Sequence, residues 1–143
     1  ITAPAKEVKI GSWKEQGLPF YSWGVSYSSD FSIDNPDGKY VLSMANWKGT
    51  IAEVKVNGIA ADPIAFPPYE SDITNLVNPG VNTVEVKVLG SLMNLLGPHF
   101  NNPVPGLVSP WHWRYVKSFP PGKDYQLLDY GMMDQFYLLN RKY

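Results

Sequence analysis

Four carboxylates are the residues that could carry acid–base chemistry: Asp30, Asp34, Glu70 and Asp72. Hydrolysis of a glycosidic bond needs two carboxyl groups held on opposite sides of that bond. Asp30, however, lies on the polar face of an alternating segment, Asp34 begins a turn, and Asp72 is placed to cap a short helical turn. Because these structural roles account for three of the four carboxylates, we predict no catalytic site.

The best candidates for binding lie in and after an irregular, proline-rich segment. A saccharide offers an apolar C–H face and a rim of hydroxyl groups, so its sites combine aromatic platforms with amide, carboxylate or arginine groups. The candidates have this mixture: Asn94, His99, Asn101, Asn102, Trp111, His112, Trp113 and Arg114. The same composition fits a surface that packs on a neighbouring domain, because Trp and Arg are enriched in interfaces. We therefore predict that residues 99–114 contact either a sugar or another domain.

Metal, thiol and nucleophile chemistry has little support in the sequence. There is no cysteine, and the two histidines, His99 and His112, are too few for a histidine-based metal site. No Gly-x-Ser-x-Gly element is present. We predict no cofactor. A structural calcium ion held by backbone carbonyls and a carboxylate stays open, since such a site leaves little trace in a sequence.

Length and charge limit the classes of partner. The chain has 143 residues with 12 Lys and Arg against 13 Asp and Glu, a net charge of −1. This length predicts a single domain over residues 1–143, in which residues 1–10 are a linker or a first edge strand. Because the chain starts at Ile1 rather than at Met, we expect a piece cut from a longer protein. The balanced charge and the lack of a long apolar run predict no nucleic-acid or membrane partner, and we expect the isolated domain to be a monomer.

The composition predicts an all-β fold. Thirteen Pro, twelve Gly and 14% aromatic residues are typical of many short strands joined by turns. Two segments, 51–56 and 83–88, alternate strictly between apolar and polar residues, as strands with one buried face do. Asn57 and Gly58 supply the positive-φ pair of a tight hairpin turn directly after the first of them.

The remaining segments complete about eight or nine strands. Residues 23–33 alternate as a long strand, which predicts that Trp23 and Tyr27 lie in the core. We expect strands at 39–44, 111–116, 125–130 and 135–139, turns at 35–38 and 46–49, a loop at 66–69, a helical turn at 72–76, and an irregular connection over 90–110. Trp47, in the second turn, is either exposed or folded back over the edge of the sheets. The predicted architecture is a two-sheet antiparallel β-sandwich of jelly-roll type, with an immunoglobulin-like sandwich as the alternative.

Three motifs carry a family resemblance: V-x-V-N-G at 54–58, D-I-T-x-L at 72–76, and G-x-N-x-V-x-V-x-V at 80–88. Together they resemble the sugar-binding jelly-roll domain of family 2 glycoside hydrolases, within the galactose-binding-like fold. The segments at 66–69, 90–99 and 129–138 are more specifically similar to C-terminal domains of large, rhamnosidase-like bacterial glycoside hydrolases. The His-Gly-Gly-aromatic element of many family 2 domains is replaced here by residues 65–69.

This resemblance implies a non-catalytic accessory domain of a bacterial glycoside hydrolase active in polysaccharide degradation, since the catalytic carboxylates of these enzymes lie in a separate barrel. Such a domain would bind carbohydrate weakly or brace the parent catalytic domain, and its parent would be periplasmic or secreted. Three alternatives stay open: a purely structural interdomain module, a stand-alone lectin-like domain, and a small carbohydrate-active enzyme such as a lyase.

Overall fold

The structure is a computed structural model that describes residues 7–35, 37–97, 99 and 126–141. Within these residues the chain forms nine β-strands, two 3-10 helices and one short α-helix. The strands are β1 (Gly24–Ile33), β2 (Lys39–Ser43), β3 (Trp47–Lys48), β4 (Ile51–Val56), β5 (Ile59–Ala60), β6 (Glu70–Asp72), β7 (Gly80–Leu89), β8 (Gly131–Met132) and β9 (Tyr137–Arg141). The 3-10 helices are η1 (Lys14–Gln16) and η2 (Thr74–Leu76), and the α-helix α1 is Met93–Leu96.

The larger sheet is antiparallel and has the strand order β1-β7-β4-β5. In its register Tyr27 pairs with Val86, and Val86 with Val54, so these residues share the inner face. β4 and β7 bury alternate residues, as their sequence predicts. Asn57 (φ 51°) and Gly58 (φ 82°) form the predicted tight turn between β4 and β5.

The second layer consists of a three-stranded sheet, β6-β2-β9, and the two-stranded pair β3-β8. Its apolar side chains meet those of the larger sheet in one buried cluster, which includes Leu42, Ile73 and Met132. The predicted all-β sandwich is therefore confirmed. The jelly-roll connectivity stays a prediction.

Trp13 closes one end of the core and is 1% exposed. Its indole N–H donates to the Tyr27 hydroxyl at 2.8 Å, and its backbone N–H donates to the Tyr130 carbonyl at 2.9 Å. These contacts attach the N-terminal segment both to β1 and to the residues before β8. Residues 7–10, the described part of the predicted linker or edge strand, form no strand.

Several predicted elements differ from the structure. The prediction that Trp23 lies in the core is wrong, because Trp23 precedes β1 and is 70% exposed. Residues 126–130 form no strand, β9 begins at Tyr137 rather than at 135, and α1 lies inside the segment predicted to be irregular. Trp47 belongs to β3 and packs edge-on against Tyr69, with 5.7 Å between ring centroids, so it is folded back. The predicted strand at 111–116 lies outside the described residues.

The predicted helical turn after β6 is present as η2. Asp72 accepts hydrogen bonds from the Thr74 backbone N–H at 3.1 Å and from its hydroxyl at 2.6 Å. Ile73 is fully buried, and Leu76 packs against the core. Asp72 thus binds the first backbone N–H of η2 from the position before the N-cap, which is Ile73.

Candidate functional site

A cleft of about 1130 Å³ opens along one side of the sandwich. β1 ends the larger sheet and β9 ends the three-stranded sheet, and Phe31 of β1 lies near Phe136 just before β9, with 5.9 Å between ring centroids. Since the second layer leaves the inner face of β1 only half covered, space remains between β1, the segment 7–10 and residues 132–136. The lining includes Glu7, Lys9, Tyr21, Val25, Tyr27, Ser28, Ser29, Phe31 and Gln135.

Hydrogen bonds hold the aromatic rings of the cleft in place. The Tyr27 hydroxyl accepts from the Trp13 indole and from the Met132 backbone N–H at 3.3 Å. The Tyr21 hydroxyl donates to the Gly24 carbonyl at 2.9 Å. Fixed aromatic faces beside serine hydroxyls and an amide can bind a ligand that is partly apolar and partly hydroxylated.

The cleft is poorly equipped for acid–base catalysis. Glu7 is the one carboxylate among the described residues that line it. Glycoside hydrolysis requires two. The arrangement therefore fits binding or packing better than it fits chemistry.

Asn94, a predicted ligand-binding residue, has a structural role in the fold. Its side chain is 2% exposed, its Nδ2 donates to the Leu128 carbonyl at 2.9 Å, and its Oδ1 accepts from the Leu128 N–H at 2.8 Å. A single side chain thus satisfies both backbone groups of a residue 34 positions away. Asn94 ties α1 to the segment that leads into β8.

His99 is half-buried and lies beside Asn94. Its Nε2 is 2.9 Å from the Asn94 carbonyl oxygen, and its ring meets Phe20 edge-on at 6.0 Å between centroids. The structure thus brings these two members of the predicted set together. The other predicted site residues, Asn101, Asn102, Trp111, Trp113 and Arg114, lie outside the described residues, as does His112, so the predicted binding surface remains a prediction.

Three of the four candidate carboxylates, Asp30, Glu70 and Asp72, are held by structural partners. Asp30 accepts from the Thr83 hydroxyl at 2.7 Å, and Asp34 is exposed at a bend after β1. Glu70 and Asp72 share one face of β6, because they are two positions apart in the strand. Of the four candidate carboxylates, these two come nearest to the paired arrangement that glycoside hydrolysis needs.

Ion pairs occupy both carboxylates of β6. Glu70 is 2.7 Å from the Arg141 guanidinium, and Asp72 is 3.1 Å from the Lys39 ammonium. The Thr74 hydroxyl and backbone N–H, together with Lys39, lower the pKa of Asp72 to about 2. A general acid in glycoside cleavage needs a raised pKa, so Asp72 is shifted in the opposite direction.

A further ion pair joins η1 to the chain before β8. Lys14 Nζ lies 3.1 Å from Asp129, which also accepts from the Ser12 hydroxyl at 2.8 Å. The hydrogen bond from Ser12, then that from Lys14, holds the pKa of Asp129 below its usual value. Like Asp72, Asp129 is therefore suited to an anchoring role.

The part of the chain that the structure describes shows neither a candidate metal site nor a membrane-spanning helix. There, no three His, Asp or Glu side chains come together as a candidate metal site. No helix in that part has the length and hydropathy to cross a membrane.

No protein-family model and no curated protein matches the sequence. Solved structures do match the fold. Rhamnosidase from Novosphingobium sp. PP1Y aligns with 85% of this chain at 24% identity and a TM-score of 0.61, using 11% of its own length. The chain resembles one small part of a rhamnosidase.

Two further matches are partial. β-D-Glucuronidase from Dictyoglomus thermophilum aligns with 51% of this chain at 24% identity and a TM-score of 0.42, and β-glucuronidase from Ruminococcus gnavus with 63% at 20% identity and 0.49. The chain spans 13% and 17% of those two structures. The match to the rhamnosidase confirms, as a likeness of fold, the predicted resemblance to a domain of a glycoside hydrolase.

The sequence did not point to the cleft, although one signal was present. In β1 the inward register runs through Val25, Tyr27, Ser29 and Phe31, and Ser29 pairs with Val84 of β7. A serine at an inward position of an otherwise apolar register indicates incomplete burial. Ser29 is exposed, as that exception suggests.

Proposed function

We propose that this chain is a non-catalytic accessory domain of a bacterial glycoside hydrolase, where it binds carbohydrate weakly or braces the catalytic domain. The observation that carries the proposal is the match of 85% of the chain to only 11% of a rhamnosidase. A domain that accounts for so small a share of such an enzyme is one of several parts. Its own chemistry has to be judged from its own residues.

The carboxylates support a non-catalytic role. Glu70 and Asp72 are ion-paired with Arg141 and Lys39, and the pKa of Asp72 is lowered rather than raised. The environment of Asp72 disfavours the protonated carboxyl that must donate a proton to a leaving group.

The cleft beside β1 and the predicted surface at 99–114 support binding or bracing. The cleft offers fixed aromatic rings with hydroxyl and amide groups, and the predicted surface adds Trp111, Trp113 and Arg114. Such residues serve equally at sugar sites and at domain interfaces. The partners we propose are therefore a carbohydrate and the parent catalytic domain, for a domain that is monomeric on its own, without nucleic-acid or membrane partners. A periplasmic or secreted location follows from the family resemblance.

The test replaces Trp111 and Trp113 together by Ala. We expect the double variant either to lose glycan binding, measured by calorimetry on this chain, or to lower the thermal stability or activity of the parent hydrolase. Phe66→Ala is the matched control, because Phe66 is 81% exposed on the loop at 66–69 and lies outside both proposed surfaces. If the double variant and the control match the wild type in every assay, the proposal fails.

The same assays separate binding from bracing. A binder retains its glycan affinity when it is expressed alone, whereas a brace affects only the enzyme to which it is joined. A wild-type chain that binds no polysaccharide, together with a parent enzyme that loses stability in the double variant, would support bracing. Hydrolysis of a glycan by this chain alone would overturn the non-catalytic role.

A further inference from the structure

The outer face of the larger sheet carries an exposed tryptophan at one end. Trp23 is 70% exposed, and the Lys87 ammonium lies over its ring, 5.8 Å from the centroid. The Trp23 carbonyl accepts a hydrogen bond from the Gly90 N–H at 2.9 Å, which fixes the backbone below the ring. Because Lys87 covers one face of an indole that is mostly exposed, the other face is open to a ligand.

Glycine at position 24 makes this arrangement possible. A Cβ atom at Gly24 would lie 2.6 Å from Leu89 Cδ2 and 2.7 Å from Lys87 Cε. Both distances are shorter than real contacts, so a larger residue would displace the lysine stem. The absence of a side chain at Gly24 therefore lets Lys87 reach the tryptophan ring.

Two rows of polar side chains continue from the tryptophan across the sheet. The strand register places Ser26, Lys87 and Glu53 side by side in the first row. It places Ser28, Glu85 and Lys55 in the second row. Five of these residues, all except Ser28, line a shallow depression of about 220 Å³.

The polar rows are internally paired and balanced in charge. Lys87 Nζ lies 3.4 Å from Glu53, and the Ser26 hydroxyl donates to Glu85 at 2.8 Å. Two carboxylates and two ammonium groups sum to zero. Each retains capacity for further hydrogen bonds, because a carboxylate has about four acceptor positions and an ammonium three donors.

We propose that Trp23 and the adjoining rows form a binding platform for a neutral saccharide, a proposal that rests on the carbohydrate-binding version of the proposed function. The indole would stack on the C–H face of one sugar ring. The carboxylates would accept from the hydroxyls of that ring or its neighbour, and the lysines would donate to them. The depression is smaller than the roughly 300 Å³ at which pockets for drug-sized ligands begin, so it suits a single ring of a longer chain.

The surroundings of Trp23 favour a neutral sugar over other ligands. A protein partner would have to bury the four charges next to the indole, although charged residues are depleted at the centres of interfaces. A uronic acid would meet two carboxylates as well as two ammonium groups and gain no net attraction. A neutral saccharide matches the combination of one aromatic face with balanced donors and acceptors.

The test is native gel electrophoresis of the chain in gels that contain a polysaccharide. Neutral cellulose derivatives, xylan and galactan are the probes, and pectate is the charged comparison. We expect at least one neutral polymer to retard the wild-type chain, and we expect Trp23→Ala to weaken that affinity by about tenfold or more. Trp23→Tyr, which keeps an aromatic face, should retain most of the affinity.

Phe66→Ala is again the control, since it also removes an exposed aromatic ring and should leave retardation unchanged. In parallel, the Trp23 indole N–H resonance, assigned by its loss in Trp23→Tyr, should shift when an oligosaccharide of the retarding polymer is added to the wild type. This second measurement does not depend on the folding of Trp23→Ala.

Each other outcome overturns the platform. Suppose that the neutral polymers bind, but Trp23→Ala keeps its affinity and the Trp23 indole N–H resonance does not shift. The chain then binds sugar elsewhere, and the proposed function still holds. If pectate alone retards the chain, the preference for a neutral sugar is wrong. If no polymer retards it, the platform is wrong and bracing is the version of the proposed function that remains.

Discussion

Replacement of Asn94 by Ala tests whether this residue ties two segments together. The change removes both hydrogen bonds to Leu128, each of which contributes about 0.5–1.5 kcal/mol net. The expected loss in the free energy of unfolding is therefore about 1–3 kcal/mol. At about 3 °C per kcal/mol for a chain of this size, the melting temperature should fall by roughly 3–9 °C.

Asn94→Asp makes the test sharper because it keeps the shape of the side chain. One carboxylate oxygen can still accept from the Leu128 N–H. The other would replace the Nδ2 atom that now lies 2.9 Å from the Leu128 carbonyl oxygen, and two acceptors would face each other. At neutral pH we therefore expect Asn94→Asp to be less stable than Asn94→Ala.

The stability of Asn94→Asp should also depend on pH in a defined direction. Burial and the facing carbonyl would raise the pKa of the new carboxyl above its unfolded value of about 3.9, because the protonated form can donate to that carbonyl. A group with a raised folded pKa contributes its full stability below the unfolded pKa and loses it as the pH rises through the folded pKa. The deficit against wild type should therefore be smallest near pH 4 and grow towards pH 8.

The assay is thermal unfolding followed by circular dichroism between pH 4 and pH 8. Asn75→Ala and Asn75→Asp are the matched controls, since Asn75 is exposed in η2. If the loss of stability of Asn94→Asp relative to wild type stays constant with pH, the new carboxyl does not contact the Leu128 carbonyl and the reasoning is refuted. An Asn94→Ala variant that loses glycan affinity at unchanged melting temperature would instead indicate direct contact with a ligand.

Two further substitutions test the fold and its electrostatics. Asp72→Asn should remove a pH-dependent part of the stability: Thr74 and Lys39 lower the folded pKa of Asp72 from 3.8 to about 2, so its contribution is present above pH 4 and is lost as the pH falls towards 2. The gap in urea midpoint between wild type and variant should close over that range and, because the side chain is half exposed, should be smaller in high salt. Val86→Ala, at a fully buried position, should lower the free energy of unfolding in urea by about 2 kcal/mol or more. Val81→Ala in the same strand should be close to neutral, because Val81 is 71% exposed. Equal losses would contradict the assigned register.

The central strands could be predicted because local and tertiary requirements agree there. In β4 and β7 every second residue is apolar. In β7 these residues, from Val84 onwards, pack in the core against the opposite layer. Asn57 and Gly58 tolerate positive φ, so the chain can turn where the alternation stops. Spacing alone is sufficient for such elements.

Trp23 shows where the same reasoning fails. The alternation of residues 23–33 puts Trp23 in register with Val25, but alternation governs side-chain direction only inside a strand. The ladder ends with Gly24 opposite Leu89, so Trp23 is free to turn its ring to the outer face. A glycine at the end of an alternating run is the feature that should have limited the prediction.

Long-range polar contacts could not be predicted from spacing. Asn94 meets Leu128 across 34 residues, and Ser12 meets Asp129 across 117. Neither pair leaves a local pattern, because an amide or a carboxylate near prolines suits a ligand site as well as a structural anchor. Asn94 has the chemistry of a ligand-binding residue, and only the fold shows that its side chain binds the backbone of Leu128.

Binding and bracing can use different surfaces of this domain, because β1 separates them. Tyr27 and Phe31 point from β1 into the cleft, whereas Trp23 and Lys87 belong to the outer face, and Ser26 lies where the two surfaces meet. A catalytic domain packed into the cleft would therefore leave the outer platform open to a polysaccharide. If so, Trp23→Ala should lower glycan affinity equally in the isolated chain and in the parent enzyme, since substitutions at separate surfaces act independently. A smaller effect in the parent enzyme would mean that the outer face, rather than the cleft, is the one its neighbour covers.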